Sequence, residues 1–531
     1  MRKWWEDAVF YQIYPRSFAD SNGDGIGDLA GIRGKLGYLH KLGVDALWIS
    51  PFFKSPMKDF GYDVSDYRDV DPLFGNLDDL KDLLADAKAR GLRIVLDLVA
   101  NHSSDEHPWF VEARSSKDAA RHGWYLWVPE TGRPPNNWKA IFELGTAWHR
   151  NPATNERYLG TFTRHQPEFD WRNPEVRTAF HDIMKYWYEL GVDGFRLDVA
   201  TGFLKDPELR SNPFSFNANP NLFQKHIYDR NQEDVHGIFK EMRKVADAAG
   251  ERVLIGETHG QDTALAASCH GAKGDELDMA FNFDFLRQPW KAAAFKRSAE
   301  RWYEALPEGA WPNFTLSNHD QPRHVSRFRS RAFTEGRARV AAAMLLTIRG
   351  TPFLYYGEEI GMTCERLPRA ALRDPLGVAT WPLPSLGRDP SRTPMQWDAS
   401  PNAGFTPGQP WLPLNSDYEV RNVTAQADDP ASLLSWYASL ISLRRSTAAL
   451  REGRIAFLDL DADVLAYERA AATGPRVLVL LNFASGKRSV ELDGSVRVLL
   501  GNARGKGEVV GAGRVELGPC EVVIAEVDVP G

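Results

Sequence analysis

Polar residues able to carry acid, base or nucleophilic chemistry stand at the ends of several short apolar runs. They are Asn101 and His102 after residues 93–99, Arg196 and Asp198 within 194–199, Glu257 near the end of 253–258, and His319 and Asp320 after 313–317. If these runs are parallel strands of one barrel, their carboxyl ends share one mouth, where barrel enzymes hold their catalytic groups. The sequence therefore predicts one site where carboxylates, histidines and an arginine converge.

The spacing of three of these residues indicates a particular chemistry. Side chains two residues apart on a strand share a face, so Arg196 should lie beside Asp198 and keep that carboxylate ionised, as a nucleophile requires. Neighbouring strands lie about 4.8 Å apart, which can place Glu257 near the separation of about 5–5.5 Å used for double displacement. An ionised Asp198 would make Glu257 hold its proton more tightly, as a general acid must.

A second group of oxygen-bearing residues follows the first apolar run. The segment Asp20-Ser-Asn22-Gly-Asp24-Gly-Ile26-Gly-Asp28 has oxygen ligands at alternate positions with glycines between them, which suits a hard divalent cation. It resembles the start of an EF-hand loop, but no glutamate follows at the twelfth position. A glycine-aspartate turn without metal is the alternative that the residues alone leave open.

The elements that must position these residues alternate between short β-branched runs and longer helical patterns. The predicted strands are residues 9–14, 44–50, 93–99, 194–199, 253–258, 279–283, 313–317 and 352–356. Asn76 and Asn173-Pro174 are typical starts of helices, and Gly91 and Gly191 are typical ends. Eight strand-helix units predict an α/β fold, a closed (β/α)8 TIM barrel.

Two long intervals and the C-terminus depart from this alternation. Pro-, Gly- and Trp-rich sequence between the third strand and Pro174 predicts an inserted subdomain, and short strands with glycine turns from about Gly453 predict a C-terminal all-β domain, a β-sandwich. The predicted division is 1–102 for the first part of the barrel, 103–172 for the subdomain, 173–452 for the rest of the barrel, including an excursion over the mouth at 366–429, and 453–531 for the β domain.

Composition excludes several classes of protein. The 531 residues carry a net charge of -7, which argues against nucleic acid or an anionic membrane as the main partner. The three cysteines, Cys269, Cys364 and Cys520, provide neither a disulfide framework nor a CxxC metal pair. Without a signal-like N-terminus or a long apolar run, we expect a cytoplasmic protein that does not enter a membrane.

Several motifs in order along the chain resemble those of glycoside hydrolase family 13, the α-amylase superfamily, and within it the α-glucosidase and oligo-1,6-glucosidase branch. They are Val9-Phe-Tyr-Gln-Ile-Tyr-Pro-Arg-Ser-Phe and residues 97–102, 194–199, 256–258, 317–320, 350–361 and 392–397. The resemblance covers nearly the whole chain and implies the barrel, the subdomain and the β domain described above.

Residue by residue, the resemblance implies roles for most of the polar groups. Asp198 is the implied nucleophile, Glu257 the acid/base and Asp320 the third carboxylate. The implied sugar-binding residues are Asp59, Tyr62, His102, Phe162, Arg196, His319 and Arg392, with Asp59 and Arg392 closing the pocket around a chain end. It also implies one structural divalent cation, Ca²⁺ or Mg²⁺, on Asp20, Asn22, Asp24, the Ile26 carbonyl and Asp28, and no organic cofactor.

The function implied is an exo-acting, retaining α-glucosidase that releases glucose from a small oligosaccharide or disaccharide, as a monomer or homodimer. An oligo-1,6-glucosidase and a transglucosylating, trehalose-acting or sucrose-acting relative are the alternatives. Val199 is typical of α-1,6 cleavage in the branch, whereas Ala200-Thr201 departs from it. The Arg-Leu-Asp-Arg run of sucrose isomerases is missing near Gln321-Pro-Arg323. A non-catalytic relative is disfavoured, because all three carboxylates are present.

Overall fold

The strands of the protein fall into a parallel set and several antiparallel sets. The computed structural model describes residues 2–143, 145–216, 223–258, 262–382 and 387–527. In chain order the strands are β1 (Phe10–Ile13), β2 (Ala46–Ile49), β3 (Phe53–Lys54), β4 (Asp66–Val70), β5 (Arg93–Leu98), β6 (Trp127–Pro129), β7 (Trp148–Asn151), β8 (Glu156–Leu159), β9 (Gly194–Leu197), β10 (Val253–Gly256), β11 (Met279–Ala280), β12 (Asn313–Thr315), β13 (Thr351–Tyr355), β14 (Arg454–Asp461), β15 (Val464–Ala470), β16 (Arg476–Asn482), β17 (Arg488–Leu492), β18 (Val496–Gly501), β19 (Val509–Val510), β20 (Gly513–Leu517) and β21 (Val522–Val527).

The helices lie mostly between the parallel strands. They are α1 (Trp4–Asp7), α2 (Leu29–Gly34), α3 (Leu36–Leu42), α4 (Leu77–Ala89), α5 (Pro108–Ala113), α6 (Pro174–Leu190), α7 (Val235–Ala248), α8 (Thr263–Ser268), α9 (Phe283–Leu286), α10 (Ala292–Ala305), α11 (His324–Arg327), α12 (Thr334–Thr347), α13 (Pro375–Ala379), α14 (Val423–Ala427), α15 (Leu433–Ser446) and α16 (Ala448–Glu452). Short 3₁₀ turns cover Pro15–Ser17, His122–Trp124, Ala200–Gly202, Arg369–Ala371, Asp389–Ser391 and Pro401–Gly404. None of the helices in the described ranges is long and apolar enough to cross a membrane.

The predicted barrel is confirmed. Eight parallel strands pair in the order β11-β10-β9-β5-β2-β1-β13-β12, so each predicted strand is present and adjacent units pair as a TIM barrel requires. The register sets Arg196 level with Asp97 on one side and with Ile255 on the other. Because facing residues in a parallel pair point to the same side, this register brings Asp97 into the barrel beside Arg196.

Two helices show how local sequence fixes the frame. Asn76 caps α4 in a capping box with Asp79, and Asn173 caps α6, which has Pro174 in its first turn. Gly191 ends α6 with φ of 107°, a left-handed conformation that favours glycine. Both helices lie within one residue of the predicted bounds and lead directly into the barrel strands β5 and β9.

The interval between β5 and α6 carries its own small sheet and core. Strands β6, β8 and β7 form an antiparallel sheet, and a separate apolar cluster gathers Val128, Trp138, Trp148 and Leu159. The chain then returns to the barrel through a backbone bridge between His102 and Glu168. This interval therefore forms one wall beside the carboxyl end of β5.

Antiparallel strands fill the C-terminal part of the chain. A six-stranded sheet, β14-β15-β16-β21-β18-β19, faces the pair β17-β20, and their facing side chains form one apolar cluster. The C-terminal all-β domain is confirmed as a fold. The exact domain boundaries stay predictions.

Candidate active site

The centre of the barrel mouth is one guanidinium held among three carboxylates. Arg196 Nη1 donates to Asp97 Oδ1 at 2.8 Å and to Asp198 Oδ1 at 2.6 Å, while Nη2 lies 2.8 Å from Glu257 Oε2. All four side chains are buried. A planar guanidinium holds such partners in a fixed fork, so Arg196 sets the separation and orientation of Asp198 relative to Glu257.

Burial dominates the protonation of these carboxyl groups. It raises the pKa of Asp198 well above its ordinary value, and the charges of Glu257 and Asp97 add to the shift, while Arg196 acts against it. Burial likewise raises the pKa of Asp97 to about 6. Arg196 favours the ionised form of Asp198, as expected, but burial and the neighbouring carboxyl groups act against it.

Glu257 is held by the backbone of the residue that follows the nucleophile candidate. The Val199 N–H donates to Glu257 Oε2 at 3.0 Å, and Val199 has φ of 46°. A left-handed conformation is a strained state for a β-branched residue and aims its N–H at the carboxylate. Since Arg196 and Val199 both reach Oε2, the proton of a protonated Glu257 is placed on Oε1.

Asp320, which follows β12, lies between two arginines. Arg392 Nη2 donates to Asp320 Oδ1 at 2.9 Å, and Arg388 Nη1 lies 3.6 Å from the same oxygen. Burial alone would raise the pKa of Asp320, but the interaction with His319 and the charges of Arg388 and Arg392 outweigh it and hold the pKa below its ordinary value. Asp320 is thus an anion, suited to accept hydrogen bonds from sugar hydroxyl groups.

The partner of Asp59 differs from the expected one. Arg388 Nη2, not Arg392, donates to Asp59 Oδ1 at 2.7 Å, and it also reaches Asp374 Oδ1 at 2.6 Å. Arg392 lies four residues further along, after the 3₁₀ turn Asp389–Ser391, which turns it towards Asp320 instead. The pairing of Asp59 with Arg392 is therefore corrected to Asp59 with Arg388, and Arg392 belongs with the third carboxylate.

Tyr62 and His319 form one hydrogen-bonded unit that contacts Asp97. The Tyr62 hydroxyl lies 2.5 Å from His319 Nε2 and donates to Asp97 Oδ2 at 3.1 Å, and the two rings stack at 5.4 Å. Gln12 lies 2.7 Å from the other ring nitrogen of His319. Burial lowers the pKa of His319 to about 3, so the ring stays neutral and acts through hydrogen bonds rather than charge.

His102 and Phe162 belong to the wall formed by the interval after β5. His102 Nε2 lies 2.9 Å from the Tyr62 carbonyl oxygen, and its ring is 5.1 Å from the ring of Phe162. Burial lowers the pKa of His102. All of the predicted catalytic and sugar-binding residues are thus buried or line this mouth, although their roles in catalysis stay predictions. His259, which follows the β10 strand, lies outside the described residues.

Three residues of the site were not predicted from the sequence. Asp97 binds Arg196, Arg388 pairs with Asp59, and Gln166 donates to Asp59 Oδ2 at 3.1 Å. Asp97 could have been predicted, because it lies in the same motif as His102 and because the alternation of side chains along the strand turns it into the barrel. Arg388 and Gln166 offered no such signal, because they lie on irregular segments whose path the sequence does not reveal.

The Asp20–Asp28 loop is a tightly hydrogen-bonded turn. Asp20 accepts from the backbone of Gly23 and Gly25, and Asp28 accepts from Gly31 as the cap of α2. The carboxylate and amide oxygens suit Ca²⁺ as a donor set. Within the ranges that the structure describes, no group of three or more His, Cys, Asp or Glu side chains is arranged to hold a metal, so the cation stays a prediction.

Comparison with known proteins identifies the architecture. The model of the α-amylase catalytic domain matches residues 12–453. The chain belongs to the α-amylase family, glycoside hydrolase family 13. It is 42% identical over 509 residues to a probable alpha-glucosidase of Rhizobium meliloti, covering 92% of this chain and 91% of that one. It is 39% identical over 529 residues to the oligo-1,6-glucosidase of Parageobacillus thermoglucosidasius, covering 92% of each.

A solved structure shows that the similarity extends over nearly the whole chain. The alpha-glucosyl transfer enzyme XgtA superposes with a TM-score of 0.94 at 39% identity, covering 99% of this chain and 100% of that one. The predicted membership in the family, its barrel and its glycoside hydrolase class are confirmed.

Replacement of Asp97 tests how a neighbouring charge changes the pKa of Asp198 in this site. Because Asp97 raises the pKa of Asp198, Asp97→Asn is expected to lower that pKa. An ionised nucleophile is needed for attack, so the acid limb of kcat/KM should move to lower pH, measured with p-nitrophenyl α-glucoside in buffers of constant ionic strength. A limb that moves to higher pH in a variant with wild-type Tm would contradict this account of the charges.

Proposed function

We propose that this α-amylase family member is an exo-acting, retaining α-glucosidase that releases glucose from the non-reducing ends of short, maltose-type α-glucosides. One observation carries the proposal: Arg196 holds Asp198 and Glu257 on its two terminal nitrogens, at 2.6 Å and 2.8 Å. This arrangement is compatible with the carboxyl separation of about 5–5.5 Å in retaining enzymes. A wider separation would leave room for a water molecule and favour inversion.

In the first step, Asp198 acts as the nucleophile. Its Oδ2 attacks the anomeric carbon while Oδ1 stays on Arg196 Nη1. The bond from the anomeric carbon to the glycosidic oxygen breaks, and that oxygen takes the proton of Glu257. The products are a free leaving-group alcohol and a β-glucosyl ester of Asp198.

In the second step, Glu257 acts as a base. It removes a proton from a water molecule, whose oxygen attacks the anomeric carbon and displaces Asp198 as a carboxylate. Two inversions give glucose in the α configuration. Asp320, held by Arg392 at 2.9 Å, is placed to accept hydrogen bonds from the glucosyl hydroxyl groups, and its negative charge stabilises the positively charged ring of the transition state.

The Asp59–Arg388 pair supports the exo mode. Asp59 and Arg388 are both buried, and Arg388 also packs 4.1 Å from the Phe142 ring. A buried ion pair fixed across one end of a pocket can bind the hydroxyl groups of a terminal glucose, but leaves no room for a continuing chain.

Loss of this ion pair is expected to weaken substrate binding. Arg388→Gln leaves Asp59 and Asp374 without their positive partner, so KM for maltose should rise and kcat/KM should fall by about 10²-fold, given the usual cost of an unpaired buried charge. Initial rates of glucose release measure this effect. Arg373→Gln on the same excursion is the matched control, since Arg373 is exposed and its side chain donates to the backbone carbonyls of Ala370 and Leu372. Equal rates in the two variants would contradict the clamp.

Two alternatives share the first step. An oligo-1,6-glucosidase is favoured by Val199 after the nucleophile, and a transglucosylating enzyme is favoured by the similarity to XgtA, an alpha-glucosyl transfer enzyme. Water and a sugar hydroxyl compete for the same glucosyl-enzyme, so residues around the acceptor decide between hydrolysis and transfer.

The experiment that tests the proposal compares maltose, isomaltose, sucrose and trehalose as substrates. We expect glucose release to be fastest from maltose, with α-glucose as the first product in ¹H NMR spectra recorded before mutarotation. Faster cleavage of isomaltose would favour the oligo-1,6-glucosidase, and new disaccharides at high substrate concentration would favour transfer. β-Glucose as the first product would exclude the double displacement.

We also propose that the Asp20–Asp28 loop binds one structural cation, Ca²⁺ or Mg²⁺. Asp20, Asn22, Asp24, the Ile26 carbonyl and Asp28 would hold it, and its role would be to neutralise the carboxylates of the loop. EGTA or EDTA is then expected to lower the Tm, and Ca²⁺ or Mg²⁺ to restore it, without changing kcat below the unfolding range. A Tm that is indifferent to chelators would rule out the structural ion.

A cytoplasmic location and a monomeric or homodimeric state complete the proposal. The free thiols of Cys269, Cys364 and Cys520 suit a reducing compartment. The proposed partner is a small oligosaccharide or disaccharide, with no organic cofactor.

A further inference from the structure

A buried ammonium group lies behind the predicted nucleophile, and the mechanism above does not use it. Lys205 Nζ donates to the Gly202 carbonyl oxygen at 2.5 Å, lies 3.4 Å from Asn101 Oδ1, and forms an ion pair with Glu168 Oε2 at 2.5 Å. Only 6% of Lys205 is exposed. A buried lysine with three converging oxygen partners is fixed in place, since its charge cannot be left without them.

The three acceptors come from three separate parts of the active site. Gly202 ends the 3₁₀ turn Ala200–Gly202, which begins two residues after Asp198. Asn101 follows the barrel strand β5, and its Nδ2 lies 3.2 Å from His102 Nδ1. Glu168 lies on the segment that returns to the barrel and bridges to the backbone of His102. Lys205 therefore joins the nucleophile turn to the wall that carries His102.

The ion pair between Lys205 and Glu168 also affects the pKa of His102. Burial is the largest cause of the lowered pKa of His102; among the charged groups around it, Glu168 and Asp59 raise this pKa and Lys205 lowers it. The Asp59 charge is offset by Arg388 at 2.7 Å. The Glu168 side chain has no exposed surface, and Lys205 is the cation that offsets its charge.

We propose that Lys205 is a positioning residue of the active site: it fixes the turn that follows Asp198 against the His102 wall and offsets the Glu168 charge, which would otherwise act against the burial that keeps His102 neutral. This inference rests on the proposed glucosidase function, in which His102 lines the glucosyl pocket. A neutral His102 keeps Nδ1 as an acceptor for the Asn101 amide and Nε2–H as a donor to the Tyr62 carbonyl oxygen. A protonated ring would lose the hydrogen bond from Asn101 to Nδ1, and the orientation of the His102 ring in the pocket would change.

Removal of the ammonium group is expected to make His102 titrate. Lys205→Met leaves the Glu168 carboxylate buried without its cation, which favours the protonated form of His102. In mildly acidic buffer, KM for p-nitrophenyl α-glucoside should then rise at least several-fold above that of the wild type, and the difference should shrink as the pH rises. Thr161 N–H still donates to Glu168 Oε1 at 2.9 Å, so Glu168 stays in place.

The titration of His102 can be followed directly by ¹⁵N NMR of histidine-labelled enzyme, with His102→Gln to assign the resonance. We expect His102 to stay neutral in the wild type and in Glu168→Gln, to titrate in Lys205→Met, and to be neutral again in the double variant. Lys185→Met is the control, because Lys185 is an exposed residue of α6 paired with Asp182. Lys205→Gln serves the same test if Lys205→Met does not fold.

The outcomes separate positioning from a merely structural role. If Lys205→Met lowers the Tm but leaves His102 neutral, or if the double variant titrates as the single one does, the proposal is wrong. The NMR titration does not depend on the substrate. A His102 that titrates as expected in an enzyme without α-glucosidase activity would therefore overturn the proposed function and leave the charge coupling intact.

Discussion

Replacing Asp198 with alanine is expected to lower kcat/KM by on the order of 10⁴-fold or more, as for other nucleophiles that act in a catalytic unit. Without the carboxylate, no glucosyl-enzyme forms. The variant should keep its fold, because Arg196 retains Asp97 at 2.8 Å and Glu257 at 2.8 Å. Initial rates of p-nitrophenol release and thermal unfolding curves measure the two effects.

Azide adds a stereochemical readout to Asp198→Ala. The anion can enter the space left by the carboxylate and attack the anomeric carbon from the same face, which gives β-glucosyl azide. Asp182→Ala, on α6, where the side chain is 48% exposed, is the matched control and should behave as the wild type. Near-wild-type activity in Asp198→Ala would move the nucleophile to another residue.

Replacing Glu257 with alanine is expected to have the second largest effect, and the loss should depend on the leaving group. For maltose, kcat/KM should fall by about 10³-fold, since the glycosidic oxygen must be protonated as it leaves. For p-nitrophenyl α-glucoside the loss should be smaller, because this leaving group departs without a proton. The glucosyl-enzyme should then accumulate, visible as a burst of p-nitrophenol in stopped-flow records.

The product formed with azide distinguishes the two carboxylates. In Glu257→Ala the intermediate still forms on Asp198, so azide attacks from the opposite face and gives α-glucosyl azide. Glu189→Gln is a control at an exposed position of α6. If both substrates lose activity equally, or if the azide product is β, Glu257 is not the acid/base.

Much of the frame and of the site could be predicted because its determinants are local. Hydrogen bonds within a few residues determine where two helices begin and end: Asn76 and Asn173 cap their N-termini, and Gly191 ends the second one. Strand parity turns Arg196 and Asp198 to one face, and motif order identifies the family. These features do not depend on how distant segments meet.

The partners of the arginines could not be predicted. Arg388 and Arg392 are four residues apart in an irregular excursion, and only the 3₁₀ turn between them decides that the first meets Asp59 and the second Asp320. Strand parity does not apply to such a segment, so residue type alone could not assign the pairs.

The sequence by itself determined the barrel and the order of its motifs, since periodicity and short-range hydrogen bonds encode the elements. The resemblance of its motifs to those of the family then singled out the three carboxylates, whose roles stay predictions. Only the tertiary structure decided how these groups are charged. Arg196 meets Asp97 as well as Asp198 because two strands pair in one register. Burial then outweighs the attraction of a single guanidinium and raises the pKa of Asp198, because desolvation depends on everything packed around a group and not on its neighbours in the chain.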